Sequence, residues 1–240
     1  MSDTDVGLQL VDVSHCHGDR TILSSESFVV SPGSTLIVTG SNGVGKSTLL
    51  YLCAGLVPAD TGRVKLGGAS VDPSRPSDLV RQGVRCGFVF QQGGLLANLS
   101  ALANVALGMR YHADVFRLSE RSVEERARFC LGAVGVSRRD FHALPGRLSF
   151  GNCKRVALAR AMAVEPNIAF FDDPDAGLDR ENAAVVHDIL ASYRDDATVT
   201  LVVATNRLGL IERLASRMVE LRDGHLWEQD LASRRSSALV

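Results

Sequence analysis

A glycine-rich segment near residue 40 constrains what this chain can fold into more than any other feature. The apolar, β-branched residues 35–39 before it predict a buried strand, and residues 47–54 after it predict a helix. A strand, a glycine loop and a helix N-terminus in that order direct backbone N–H groups at phosphate oxygens. The segment matches the pattern G-x-x-x-x-G-K-[ST] and consists of Gly40, Ser41, Asn42, Gly43, Val44, Gly45, Lys46, Ser47 and Thr48.

This pattern predicts a site for a nucleoside triphosphate and Mg²⁺. In such a loop Lys46 reaches the outer phosphates, and the Ser47 hydroxyl holds the metal ion. A second element lies well downstream, where the apolar run 168–171 ends at Asp172. A carboxylate at that point can bind Mg²⁺ opposite Ser47, directly or through water. The alternative is a glycine-rich turn that binds nothing, and the strand and helix on either side make it the weaker interpretation.

The composition narrows the class of protein. With 240 residues, 45% of them hydrophobic, the chain is long enough for one large domain or a core with a subdomain. A net charge of -1 argues against nonspecific nucleic-acid binding, which usually requires a basic excess. No apolar run approaches the roughly 18–20 residues that span a bilayer, and the polar residues 1–5 do not resemble a secretory signal. The scattered cysteines favour reduced cytosolic thiols over a disulfide framework or a zinc site.

Strand patterns occur on both sides of a helical region. Residues 15–20 are predicted to form a polar turn, and Asp223-Gly224 predicts a hairpin near the end of the chain. From about residue 93 to 147 the pattern is helical, with Ser122 and Glu125 at the spacing of a capping box. This order predicts an α/β core that carries a helical subdomain. Apolar or partly alternating runs predict strands near residues 8–13, 28–30, 86–90, 168–171 and 199–204.

Residues 148–161 carry the most specific resemblance to a known family. Their sequence, LSFGNCKRVALARA, resembles the L-S-G-G-Q segment and following R-V-A-x-A-R-A of ATP-binding cassette (ABC) ATPases. Four further motifs of that family occur in the family's order, so that the resemblance covers essentially the whole chain. They are Phe90-Gln91, the segment 95–105 after it, residues 166–179 with the loop Ala176-Gly177-Leu178-Asp179, and residues 199–206.

The resemblance implies a fold, cofactors and partners. The fold is an α/β P-loop NTPase (RecA-like) core, residues 1–92 and 148–240 of a single nucleotide-binding domain. An N-terminal antiparallel β subdomain belongs to the core, and a helical subdomain is inserted at 93–147. The cofactors are ATP and Mg²⁺. The partners are a second cassette, identical or different, and a transmembrane permease subunit that docks around residues 91–105. The chain would then lie on the cytoplasmic face of the cell membrane, held by the permease, and would not bind nucleic acid.

The resemblance also assigns roles to individual residues. Residues 40–48 hold the phosphates, while Gln91 and Asp172 lie near Mg²⁺ and the attacking water. Ser149 and Gly151 contact the γ-phosphate bound to the second cassette, and Asp179 lies along the same interface. Each residue also has a purely structural interpretation, since Gln91 could belong to a surface loop and Ser149 could be an ordinary helix cap.

The chain departs from the family pattern at four places. Asp173 stands where the family usually has the Glu that acts on the attacking water, and its shorter side chain predicts slower hydrolysis, since general-base catalysis contributes about 10²–10⁴ in rate. Asn206 replaces the switch His; it is never cationic, but its amide can donate a hydrogen bond.

Phe150 and Asn152 replace Gly and Gln around Gly151. His17 stands near the family's adenine-stacking aromatic, with His15 or a plain surface histidine as alternatives.

These departures lead to a specific hypothesis. Asp173 and Asn206 act on the chain's own nucleotide, whereas Phe150 and Asn152 face the partner's nucleotide. We therefore expect an ABC transporter ATPase subunit that retains ATP-driven dimer closure and hydrolyses ATP slowly. The alternative is a regulatory ATP-binding cassette beside a catalytically standard partner. Residues 90–95 and 104–107 also resemble bacterial cassettes that move lipids between membranes.

Overall fold

The phosphate-loop strand lies inside a mixed sheet in the computed structural model, which describes residues 7–230. The acidic first residues therefore lie outside the described part of the chain. The strands are β1 (Leu8–His17), β2 (Arg20–Val30), β3 (Thr35–Thr39), β4 (Thr61–Leu66), β5 (Ala69–Ser70), β6 (Cys86–Val89), β7 (Ile168–Asp172), β8 (Thr200–Ala204), β9 (Arg217–Arg222) and β10 (His225–Glu228). The α-helices are α1 (Lys46–Cys53), α2 (Pro76–Arg81), α3 (Ala101–Tyr111), α4 (Ala113–Phe116), α5 (Glu120–Ala133), α6 (Phe150–Ala163), α7 (Arg180–Asp195) and α8 (Leu208–Leu214).

The larger sheet has six strands in the order β10-β9-β3-β8-β7-β6. Strand β3 pairs in parallel with β8 on one side and β9 on the other. Every residue of β3, β7 and β8 is buried, which explains why their sequences are continuous apolar runs instead of alternating ones. Because these three strands are parallel, their carboxyl ends lie at one edge of the sheet, where α/β proteins usually bind ligands.

The smaller sheet is antiparallel, with the strand order β2-β1-β4-β5. The predicted polar turn at residues 15–20 is wrong in its extent, because β1 continues to His17 and β2 begins at Arg20. The β1–β2 pairing contains register shifts after Leu10, and Asp12 has a positive φ of 49°. Such bulges interrupt the alternation of apolar and polar residues, so the strands looked shorter from the sequence than they are.

Helices α3 and α5 pack against α6 and share one hydrophobic core with the inner face of the larger sheet. The predicted capping box at Ser122 is wrong. Helix α5 begins earlier, and its N-cap is Ser119, whose hydroxyl accepts a hydrogen bond from the Ser122 amide at 3.1 Å. The domain limits at residues 93 and 147 stay predictions.

The segment between β6 and α3 is held by one buried side chain. Asn104 is fully buried, and its Oδ1 accepts a hydrogen bond from the Leu96 amide at 2.8 Å. Its Nδ2 donates to the carbonyl oxygens of Leu96 at 3.1 Å and Leu99 at 3.0 Å. A buried amide with every group satisfied fixes a loop that has no regular structure of its own. Between residues 7 and 230, no helix is both long and apolar enough to cross a membrane.

Candidate functional site

The site lies at the carboxyl ends of β3, β7 and β8, where the phosphate loop, two carboxylates and an asparagine meet. Lys46 opens helix α1 and is buried. Its Nζ donates hydrogen bonds to the carbonyl oxygens of Gly40 at 2.9 Å and Ser41 at 3.1 Å. The Lys46 side chain therefore reaches from the end of the loop back to its first residues, so that its ammonium group lies within the loop.

Two of the loop glycines cannot carry a side chain. A Cβ on Gly40 would lie 2.6 Å from the carbonyl oxygen of Leu221, and one on Gly45 would lie 2.7 Å from Ile22 Cγ2. Both glycines also have positive φ angles, 145° and 118° respectively, which favour glycine. By contrast, a Cβ on Gly43 would meet nothing within 4 Å, so that only its φ of 75° restricts this position. Close packing therefore requires glycine at the first and last glycine positions of the pattern.

Ser47 and Asp172 form the metal-binding part of the site. The Ser47 hydroxyl donates a hydrogen bond to Asp172 Oδ1 at 3.0 Å, and Asp172 is 1% exposed. Burial raises the pKa of Asp172, while the hydrogen bond from Ser47 opposes that rise. A hydroxyl and a carboxylate oxygen side by side are the hard ligands that Mg²⁺ prefers, so these residues fit the ion.

Tyr51 is a member of this group that sequence reasoning missed. Its hydroxyl lies 3.5 Å from Asp172 Oδ2, and its pKa is raised first by burial and then by the charge of Asp172. The signal was present in the sequence, since Tyr51 follows Ser47 by four residues and therefore lies on the same face of α1.

Asp173 follows Asp172 directly and lies at a sharp change of chain direction. Its φ is 39°, uncommon for a residue with a side chain, and its amide donates to the Ala204 carbonyl at 2.9 Å. Burial is the largest cause that raises its pKa, and the positive charge of Lys46 opposes this rise. Asp173 is therefore a half-buried carboxylate next to the loop lysine.

Asn206 contacts the loop backbone through both halves of its amide. Its Nδ2 donates to the Gly40 carbonyl at 2.8 Å, and its Oδ1 accepts from the Gly40 amide at 3.2 Å. The sequence predicts that this amide can donate a hydrogen bond in place of the switch His, and that role stays a prediction. In the structure the amide binds the first glycine of the loop, an arrangement that a histidine ring cannot reproduce because its two nitrogens point in different directions.

Lys154 is a second group that the sequence did not reveal. It lies on α6, is 1% exposed, and places its Nζ 3.4 Å from the Phe90 carbonyl oxygen. Burial lowers the pKa of Lys154, and the charges of Asp172 and Asp173 oppose this. A buried lysine needs such partners to keep its charge. The only sequence signal was a charged residue within a mostly apolar helix.

Other predicted residues lie apart from this group. His17 is exposed at the end of β1, and His15 has its Nδ1 3.6 Å from Asp60 Oδ1. Gln91 is exposed in the loop after β6, directly after the Phe90 carbonyl that Lys154 approaches. Neither His17 nor Gln91 is brought to the phosphate loop by a hydrogen bond within residues 7–230.

The residues expected to face a second cassette form a separate surface at the start of α6. Ser149 is the N-cap, and its hydroxyl accepts a hydrogen bond from the Asn152 amide at 3.1 Å. A Cβ on Gly151 would lie 2.6 Å from the Asn182 side chain, so this glycine allows close packing of α6 on α7. Phe150 is 49% exposed and lies against Gly177.

The loop after Asp173 continues this surface. Asp179 is the N-cap of α7, and its Oδ1 accepts a hydrogen bond from the Asn182 amide at 2.8 Å. The Asn182 Nδ2 donates to both carboxylate oxygens, and these hydrogen bonds lower the pKa of Asp179. The carboxylate is therefore fixed and exposed beside Gly151, as a contact residue of an interface would be.

Comparison with known proteins identifies the family of the chain. A sequence model of the family described as "ABC transporter" matches residues 23–176. The glutamine transport ATP-binding protein GlnQ of Escherichia coli (strain K12) is 34% identical over 92% of this chain and 90% of its own length. The hypophosphite import ATP-binding protein HtxD of Stutzerimonas stutzeri is 33% identical over a match that covers 92% of this chain and 66% of that protein.

A solved structure shows the same architecture. The ATP-binding cassette MJ0796, in a dimeric post-hydrolysis state bound to ADP and Pi, has a TM-score of 0.83 and 28% sequence identity. The likeness covers 93% of this chain and 98% of that one. It confirms the predicted α/β P-loop NTPase core with an antiparallel β subdomain and a helical insertion.

Proposed function

The chain belongs to the ABC transporter family, and we propose that it is the ATP-binding and ATP-hydrolysing subunit of a membrane transporter. One observation carries this proposal. Lys46, Ser47 and Asp172 occupy one continuous group, with the Ser47 hydroxyl 3.0 Å from Asp172 Oδ1 and the lysine held inside the loop. Helix α1 starts at Lys46, so its first N–H groups point toward the loop, where phosphate oxygens can accept from them.

We propose that Ser47 and Asp172 hold Mg²⁺ when ATP is bound, with Gln91 close to the ion. The ion then offsets the negative charge of the phosphates. A positive charge held there would favour the ionised form of Asp172, against the burial that raises its pKa. Lys46 would exchange its bonds to the Gly40 and Ser41 carbonyls for bonds to phosphate oxygens. The predicted adenine contact of His17 stays part of this proposal.

Hydrolysis is proposed to be slow because of Asp173 and Asn206. Asp173 is the candidate for the group that accepts the proton of the attacking water, and burial raises its pKa in the direction that a general base needs. Its side chain is one methylene shorter than the Glu that the family resemblance implies at this position. Asn206 already uses one of its two amide N–H donors and its amide oxygen on Gly40, so at most one donor is left for a phosphate.

A second cassette is proposed to complete each site. Ser149 is exposed at the N-terminus of α6, near the fixed and exposed carboxylate of Asp179, and Gly151 is buried directly behind this surface. Phe150, half exposed next to them, would add an aromatic ring to the interface. In a homodimer both sites would carry all four departures. With a standard partner, one site would keep the usual Glu and His.

A groove next to the predicted docking segment 91–105 supports docking of a permease, although the lining residues Phe90 and Leu107 flank that segment and do not belong to it. It has a cavity volume of about 420 Å³ and is bordered by strand β6, helix α3 and helix α6. Tyr111, Leu56 and Leu107 are all exposed and line the same groove, so they form a contiguous apolar patch of the kind that marks interaction sites. A permease seated there would hold the chain at the cytoplasmic face of the membrane. The apolar or aromatic side chains that line the groove are Leu56, Phe88, Phe90, Leu107 and Tyr111.

The cargo is not assigned by these comparisons. Two relatives with nearly equal sequence identity to this chain are named for hypophosphite, an inorganic anion, and for glutamine, an amino acid. The permease is therefore the proposed source of cargo specificity. The resemblance of residues 90–95 and 104–107 to lipid-moving cassettes stays a prediction.

The test is ATP turnover of the complex that co-purifies with the chain. We expect Mg²⁺-dependent ATP binding that Lys46→Ala abolishes, slow steady-state turnover, and faster turnover for the double variant Asp173→Glu, Asn206→His. A wild-type complex that does not bind ATP would contradict the function itself. A double variant no faster than wild type would show that these two positions do not limit hydrolysis. Turnover located only in the partner's site would identify the chain as a regulatory cassette.

A further inference from the structure

An ion pair between a buried carboxylate and a half-exposed arginine lies next to the site and is not explained by nucleotide binding. Asp175 is one of the few buried acidic residues in the described chain, with a side chain 2% exposed. Arg207 Nε lies 3.3 Å from its Oδ1, and His187 Nε2 lies 3.0 Å from its Oδ2. Placing a carboxylate in the protein interior is costly, and it is tolerated only when partners compensate the charge. The three residues therefore form one unit, which we call the Asp175 anchor.

The Asp175 anchor joins three different parts of the fold. Asp175 lies two residues after Asp173, in the turn where the Ala176 amide donates to the Asp173 carbonyl at 3.1 Å. Arg207 directly follows Asn206, and its amide donates to Thr205 Oγ1 at 3.1 Å. His187 lies within helix α7. The ion pair thus connects the segment that carries the proposed general base to the segment that carries the proposed switch residue.

The charges of the anchor also act on Asp173. The negative charge of Asp175 raises the pKa of Asp173, and the positive charge of Arg207 lowers it, so the two members of the pair oppose each other. Lys46 and Lys154 are the other cations that act on this carboxylate. Without Arg207, the negative charge of Asp175 near Asp173 would be less fully compensated, and His187 would be the remaining ion-pair partner that holds its turn in place.

We infer that Asp175 and Arg207 are positioning residues for hydrolysis, which fix Asp173 and Asn206 relative to each other and to the phosphate loop. This inference rests on the proposed function, because it concerns the same reaction. Neither side chain touches the phosphate loop through a hydrogen bond within the described residues. Their effect should therefore appear in the rate of the chemical step and not in the binding of ATP.

The experiment compares ATP turnover of co-purified complexes carrying Asp175→Asn, Arg207→Gln, the double variant, and Arg207→Lys. We expect each neutralising single variant to lower kcat about tenfold while KM for ATP changes less than about twofold. The double variant should be no slower than either single variant, because both remove the same contact. Arg207→Lys, which keeps the charge, should recover most of kcat. Because Arg207 is half exposed, its variants are expected to fold.

Arg213→Gln is the matched control. Arg213 pairs with Asp188 at 3.0 Å and is similarly exposed, but this ion pair joins α8 to α7 away from Asp173. Its loss should leave kcat and KM unchanged. Effects of Asp175→Asn and Arg207→Gln that simply add, or that change KM together with kcat, would overturn the inference while the proposed function stands. A wild-type complex without ATP hydrolysis would overturn the hydrolytic function and this inference with it.

Discussion

Asn206 and Gly40 are joined by two hydrogen bonds, one in each direction. The Asn206 amide donates to the Gly40 carbonyl at 2.8 Å and accepts from the Gly40 N–H at 3.2 Å. The side chain thus pairs with the backbone in the way that a neighbouring strand would. Gly40 is where strand β3 ends and the phosphate loop begins, and its carbonyl also accepts from Lys46 at 2.9 Å. Asn206 therefore holds the loop at its first residue.

The two-way pairing predicts an order of stability among variants of Asn206. Asn206→Ala loses both bonds, and Asn206→Asp keeps the bond from the Gly40 N–H but places a second oxygen against the Gly40 carbonyl. Since an unsatisfied or repelled polar group costs about 1–3 kcal/mol, we expect the Asp variant to be at least as destabilised as the Ala variant. Urea unfolding of the nucleotide-free chain measures this. Equal stability of all three proteins would contradict the pairing.

Gly151→Ala is expected to disturb the surface proposed for the second cassette. The added Cβ would lie 2.6 Å from the Asn182 side chain, which also binds Asp179 and Arg155. Overpacking of this kind costs about 1–3 kcal/mol, so the midpoint of urea unfolding should fall. Asn182→Ala on the same background makes space for the new methyl group. Gly151→Ala should therefore destabilise the chain less in the Asn182→Ala background than in the wild-type background.

Asp172→Asn is expected to stabilise the nucleotide-free chain at neutral pH while abolishing its Mg²⁺-dependent ATP binding. Burial raises the folded-state pKa of Asp172 above its unfolded value, so the folded chain binds more protons between the two pKa values. Stability then falls as pH rises through that window, and the full penalty is present above the folded-state pKa. The neutral amide has no such penalty. When the pH is lowered from 7 to 4, the melting temperature should rise less for the variant than for wild type.

The five cysteines should differ sharply in reactivity. Burial raises the pKa of the Cys53 and Cys86 thiols to about 12, whereas Cys16 is exposed. Because the thiolate is the reactive form, an alkylating reagent at pH 8 should label Cys16 first, label the partly exposed Cys86 more slowly, and leave the buried Cys53 unlabelled until the chain unfolds. Mass spectrometry of tryptic peptides identifies the labelled sites, with Cys16→Ser as the control. Rapid native labelling of Cys53 would contradict the packing of α1.

Tyr111→Glu tests the groove proposed for the permease. Tyr111 is 69% exposed at the end of α3, so a charged residue there should cost little stability but should oppose an apolar partner. We expect loss of co-purification with the membrane subunit, at least tenfold by quantitative blot, and unchanged ATP binding. Tyr193→Phe, on α7 away from the groove, is a conservative aromatic control. Undiminished co-purification would place the docking surface elsewhere.

The sequence predicted those parts of the site that depend on local order along the chain. A strand, a glycine loop and a helix start within fifteen residues, so their relative placement follows from backbone geometry, and Lys46 and Ser47 could be assigned directly. Asp172 could be placed because parallel strands end at one edge of a sheet. By the same logic Tyr51, four residues after Ser47, was predictable but overlooked.

Some local predictions were wrong because a tertiary contact overrode the pattern. The bulges of β1 hid its length, and Ser119 rather than Ser122 caps α5. Both serines precede an acidic residue and an apolar run, and only the packing of α5 against α3 and α6 selects the earlier start. Local propensities differ by less than about 1 kcal/mol, which such packing easily exceeds.

By itself, the sequence determined the nucleotide loop, the α/β class and the family, because these are encoded in contiguous residues and in their order. Only the tertiary structure decided that Asn206 pairs with Gly40, that Lys154 lies near the carboxylates, and that Asp175 is anchored by Arg207. These partners are 166, 18 or more, and 32 residues apart in sequence, respectively. Their energies depend on distance and burial, which arise only when the parallel strands and α6 bring distant segments to one edge of the sheet.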